Sequence, residues 1–198
     1  MRSLCCFLLG VMTWACSTQP LISKAPCEPD PAAVLLSSAE NFYKLNSYEN
    51  ALKHYQEYLV RFANGSDADR ALMRIASIFS KQGNDDLKIA AYQRLISEYP
   101  NSSFISDAML DILVSFYKIG KFKEVIQKSA EFIDKSDSEA NLSRIYGILG
   151  DTYMSLDFRK DAAAFYCIAY QKALAPEKED ILAKIKELSS LPAGCSPI

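Results

Sequence analysis

Few residues in this 198-residue chain have the type and spacing that bond-making chemistry needs. His54 is the single histidine, and no motif sets a cysteine, a serine on a tight turn or a carboxylate beside it as a catalytic partner. The acidic groups Asp85-Asp86 and Glu177, Glu179 and Asp180 are the other candidates, for general acid–base work or for a metal. Both fall where a helix is expected to begin, and a carboxylate there offsets the positive end of the helix dipole. The six cysteines, Cys5, Cys6, Cys16, Cys27, Cys167 and Cys195, show neither zinc-ligand spacing nor a C-x-x-C pair. No catalytic residue, metal site, cofactor or small-molecule substrate is therefore expected, and the chain does not read as an enzyme. Charge narrows the choice further: 22 Lys+Arg against 24 Asp+Glu, net −2, sets up no field that would draw in nucleic acid. A hydrophobic content of 49% is too high for a disordered chain and sufficient for a packed core.

The N-terminal residues differ in kind from the rest. Met1-Arg2 is followed by Ser3 to Ala15, uncharged and mostly apolar, which is shorter than the ~20 residues of a membrane span and suits a secretory signal over residues 1–15. Cys16 follows the small Ala15 and precedes Ser17. This arrangement resembles the lipobox of bacterial lipoproteins, although Thr13 and Trp14 depart from that family's preferred residues. The resemblance implies cleavage before Cys16 and lipid on it, and Ser17 in place of Asp implies sorting to the outer membrane. Thr13 and Ala15 also satisfy the small-x-small rule of an ordinary secretory signal, so an exported protein without lipid is the alternative. Residues 16–31 then carry Pro20, Pro26, Pro29 and Pro31 among polar residues, the composition of an extended tether. Export permits disulfides. Cys167 lies in an apolar helical pattern and is expected as a small core residue, while Cys27 and Cys195 flank the folded region.

From there the chain repeats every 37 residues. One step of 37 links Phe42, Phe79, Phe116 and Tyr153; another links Ala39, Ala76, Leu113 and Gly150. Further rows are Ala51, Lys88, Val125 and Ala162, then Tyr55, Tyr92, Ser129 and Tyr166. Apolar residues within a unit fall three, four or seven apart, the spacing of one helix face, so each unit predicts two amphipathic helices joined by a short polar turn. The pattern resembles the tetratricopeptide repeat. The fourth copy stands at that family's signature spacings with Tyr146, Leu149, Gly150, Tyr153, Ala162, Tyr166 and Ala169, whereas copy two departs at Lys88 and copy three at Leu113, Val125 and Ser129. The fold class expected is all-α, a solenoid of four helix pairs over residues 32–176. A capping helix over 177–191 closes it, with Ile181, Leu182, Ile185 and Leu188 on one face, and 192–198 form a tail.

The resemblance implies a concave face built from the first helix of each pair, and hence a protein or peptide partner. In this register the partner-binding groove is expected to be lined by Tyr43, Lys44, Met73, Lys81, Leu110, Tyr117, Lys118 and Met154, with Leu36, Glu40, Ser77, Val114 and Asp151 beside them. Lys44, Lys81 and Lys118 recur at the same step, so the groove is expected to favour apolar anchors with acidic neighbours. Phrases such as Glu98-Tyr99-Pro100 and Leu149-Gly150-Asp151-Thr152-Tyr153 resemble the N-terminal repeat region of penicillin-binding protein activator-type lipoproteins, with the outer-membrane assembly lipoproteins as the second resemblance. They imply an interaction scaffold of the bacterial envelope, linked to cell-wall synthesis or outer-membrane assembly. Without lipid on Cys16, a soluble periplasmic peptide-binding or chaperone-like protein is implied.

Overall fold

The computed structural model describes residues 30–136 and 138–188. The expected signal segment, Cys16, Cys27, the tether up to Pro29, and everything after Leu188 lie outside the described residues. Within them the chain forms α1 (Pro31–Lys44) and α2 (Tyr48–Arg61), α3 (Ala68–Lys81) and α4 (Asp85–Glu98), α5 (Ile105–Lys118) and α6 (Phe122–Lys135), and α7 (Glu139–Ser155) and α8 (Arg159–Lys172). A last helix, α9 (Ala175–Glu187), closes the stack. Pro31, counted with the tether on composition, is instead the first residue of α1. Its fixed φ and missing N–H suit that position, and the Asp30 side chain accepts from Ala32 N.

The sequence period is the structural period. The second helices start at residues 48, 85, 122 and 159, each 37 after the last. The usual unit is about 34 residues, and the surplus is absorbed in two ways. Residues 62–67 and 99–104 make long loops between pairs, whereas the third junction is short and α7 is 17 residues long where its counterparts have 14.

Each intra-pair turn reverses the chain through one left-handed residue at the same step: Asn46, Gly83, Gly120 and Asp157, with φ of 58°, 70°, 76° and 62°. The following N–H groups, of Ser47, Asn84, Lys121 and Phe158, donate to the carbonyls of Phe42, Phe79, Phe116 and Tyr153 at 2.8–2.9 Å. The row of aromatics thus also supplies the carbonyls that close each helix C-terminus in the manner of a Schellman motif. Gly120→Ala is expected to destabilise by about 1–2 kcal/mol, the cost of a Cβ in this conformation. Asn46→Gly should leave the urea midpoint unchanged or raise it.

Sequential helices pack antiparallel, and one core runs from Leu35 in α1 to Leu149 in α7. A second cluster joins Ala162, Ala163, Tyr166 and Cys167 of α8 to Ile185 of α9 and to Leu188, with Tyr153 touching both clusters. Cys167 is buried as expected, but it is disulfide-bonded, and the described residues hold no other cysteine.

The copies that depart from the repeat signature are repaired locally. In the fourth pair Gly150 lies against the Tyr166 ring, and the 37-residue step puts Ala39 and Tyr55, Ala76 and Tyr92, and Leu113 and Ser129 at the equivalent positions, all buried. Three copies set a large second residue against a small first one, and copy three reverses the sizes. Volume is conserved although neither identity is, which is what a close-packed interior requires. In copy two, Lys88 occupies a site that holds buried Ala51, Val125 and Ala162 in the others. It is only 7% exposed, and its ammonium lies 3.5 Å from the equally buried Asp85, which also accepts from Lys118 Nζ at 2.8 Å.

Candidate functional site

The first helices converge on one side of the stack, where α5 touches α7 directly, and this is the inner face. Between α5, α7 and α9 it opens into a groove of about 430 Å³. Leu110, Val114, Ile148 and Ile181 form its apolar floor. A second depression of about 310 Å³, lined by Tyr117, Met154 and Tyr166, adjoins it and shares Asp151 and Lys184 with it. Of the residues expected from sequence, Leu110, Tyr117 and Met154 therefore gather in the C-terminal half of the face.

The remainder divides differently. Leu36 is 8% exposed and packs into the core instead of lining the face, because it faces between helices. Tyr43 is tied down: its hydroxyl lies 3.0 Å from Ser77 Oγ, and the Arg74 guanidinium sits over its ring at 4.9 Å while bonding Glu40 at 2.8 Å. Tyr117 makes the matching contact with Ser155 Oγ at 3.1 Å. These tyrosines join consecutive first helices. Met73 is half-buried against the core. The lysine row is not uniform: Lys118 is committed to Asp85, whereas Lys44 and Lys81 are exposed and form no ion pair among the described residues.

Asp151, which the register placed beside the groove, and charged residues that it did not single out shape the site. Asp151 Oδ1 accepts from Tyr166 Oη and from Lys184 Nζ, both at 2.6 Å, and Arg144 Nε bonds Glu177 at 3.3 Å. Two ion pairs thus hold α9 against α7. Asp111 accepts the Tyr92 hydroxyl at 2.6 Å. Burial, reinforced by the neighbouring carboxylate, pushes both the Tyr92 and Tyr166 phenols well above the usual tyrosine range, so they stay protonated donors. Lys184 was hidden from sequence analysis because α9 reads as a cap, and its Nζ reaches Asp151 only once the cap docks.

Of the candidates for chemistry, Glu177 and Asp180 line the groove, while His54, Asp85 and Asp86 fall elsewhere. His54 stacks on Phe42 with ring centroids 5.1 Å apart, a packing role between α1 and α2. Asp85 and Asp86 occupy the first turn of α4, as does Glu177 that of α9. Among the described residues no helix is long and apolar enough to cross a membrane.

The fold defines an all-α solenoid of stacked helix pairs. A family model described as tetratricopeptide repeat matches residues 70–102, which is the second helix pair with Pro100 behind it. This is not the fourth pair, which carries more of the signature residues. Among solved structures the chain is similar to the MamA RS-1 ArsTM double mutant, at 15% identity and TM-score 0.61, covering 81% of this chain and 84% of that one. MamA 41-end from Desulfovibrio magneticus RS-1 aligns at 16% identity and TM-score 0.57 over 81% and 96%. BtubC (BKLC) from P. vanneervenii aligns at 16% and 0.60 over 76% and 68%. At such identities the likeness is one of fold. No curated protein sequence matches the chain.

Proposed function

We propose that this chain is a non-catalytic protein–protein interaction scaffold of the bacterial envelope, anchored to the outer membrane through lipid on Cys16, with its partner docking in the groove between α5, α7 and α9. Val114 carries the binding half of this reading. It is a β-branched apolar side chain 45% exposed on the inner face, lining the groove with Leu110, Ile148 and Ile181. The anchoring half rests on the sequence from Met1 to Ser17. The repeat phrases favour a role beside cell-wall synthesis, in the manner of the penicillin-binding protein activators, over outer-membrane assembly.

Fatty-acid labelling in a bacterial host tests the anchor: label is expected on the wild type and lost in Cys16→Ala. An unlabelled wild type cleaved after Ala15, as the pair Thr13 and Ala15 permits, would assign the soluble exported form instead. The groove is better probed at Val114 than at Lys118. Lys118→Glu would set a carboxylate against buried Asp85 and confound binding with stability. Val114→Lys is expected to abolish crosslinking to envelope partners with no change in the thermal melt, and unchanged crosslinking would remove the groove from the proposal.

A further inference from the structure

The lining of the same groove also specifies its occupant. Its rim carries Asp111, Asp151, Glu177 and Asp180 against Arg144 and Lys184. Both cations are already held within the protein, Arg144 by Glu177 and Lys184 by Asp151. Asp111 takes only the neutral Tyr92 hydroxyl, and Asp180 is exposed with no ion pair among the described residues. Two carboxylates without a cation therefore flank an apolar floor. Charge complementarity asks for the opposite of the acidic partner expected from the lysine row. The chain's own C-terminal residues 189–198 include no charged residue, so they do not supply the complement.

We infer that the partner is a cationic, apolar peptide segment, with a leucine-sized side chain on Val114 and Ile148 and a lysine or arginine between Asp111 and Asp180. This rests on the inner-face reading above and adds the partner's chemistry to it. An anionic segment would meet uncompensated carboxylates beside an apolar surface, where screening is weaker than in bulk solvent. The ion pairs that fasten α9 keep Lys184 and Arg144 from neutralising the site.

The test is selection of peptides from a random displayed library on the full chain, followed by fluorescence anisotropy with the enriched peptides. Enriched sequences should pair Leu, Ile or Phe with Lys or Arg. Asp180→Lys, a surface change, should weaken them roughly five- to tenfold, and their affinity should fall steeply with salt. Val114→Lys should abolish binding. Acidic or neutral peptides that are lost in Val114→Lys yet indifferent to Asp180→Lys would overturn the cationic partner while leaving the groove. Peptides indifferent to both variants, or no enrichment, would overturn the groove as well. Self-association in sedimentation that disappears in Val114→Lys would give the groove to a second copy and overturn the inference.

Discussion

Gly150→Leu is expected to destabilise the last helix pair, Tyr166→Ser to destabilise it at least as much, and the double variant to recover part of the loss. A Cβ at Gly150 would lie 2.5 Å from Cδ1 and 2.9 Å from Cζ of the Tyr166 ring, which is 3% exposed. Overpacking of this kind costs about 1–3 kcal/mol or more. Removing the ring alone leaves a cavity worth about 3–5 kcal/mol. The combination is the one copy three already uses, Leu113 with Ser129, both fully buried. Urea midpoints of the four proteins give the coupling, which should reach roughly 2 kcal/mol in favour of the double variant. Simple additivity would mean that the two positions are not exchanging volume. The double variant should still fall short of wild type, because Tyr166 also donates to Asp151.

Asp85→Ala is expected to cost about 3–5 kcal/mol, since it leaves a buried ammonium without its counter-charge. The Lys88 side chain is 9% exposed and has no other ion partner among the described residues, while Lys118, 61% exposed, is solvated either way. Asp85→Ala with Lys88→Ala should recover most of the loss, because Ala51 and Ala162 fill the Lys88 position without strain in their own copies. The same carboxylate sets an acid dependence. Its hydrogen bond from Lys118 holds Asp85 below the usual carboxylate range despite burial. A depressed folded value means stability is fully present above the unfolded value of about 3.9 and is lost as pH falls from there through the folded value. Wild type should lose stability over that interval more steeply than the Asp85→Ala, Lys88→Ala variant. Parallel curves would assign the acid sensitivity to other groups, of which Glu131, depressed by Lys128 and Lys135, is the first candidate.

The fold was legible in the sequence because it depends on periodicity. A 37-residue step in aromatic and small residues demands helix pairs that stack, and the left-handed turn at Asn46, Gly83, Gly120 and Asp157 follows that step too. The departures were legible as departures, not as solutions. Lys88 reads as a misfit until Asp85, one turn earlier in α4, is seen buried beside it. Leu113 and Ser129 read as two separate losses until their helices are packed together.

The candidate groove was only half legible, and the reason is physical. Register along one helix determines which residues share a face, so Tyr117, Met154 and Val114 follow from sequence alone. Whether a shared face becomes floor, rim or core depends on the neighbouring helix, which buries Leu36 and ties Tyr43 to Ser77. The charge of the groove depends on contacts 33 residues apart, where Lys184 and Glu177 of α9 close on Asp151 and Arg144 of α7. By itself the sequence determined a repeating all-α stack of helix pairs. Tertiary packing decided which cations are already neutralised, and so which charge the inner face presents to a partner.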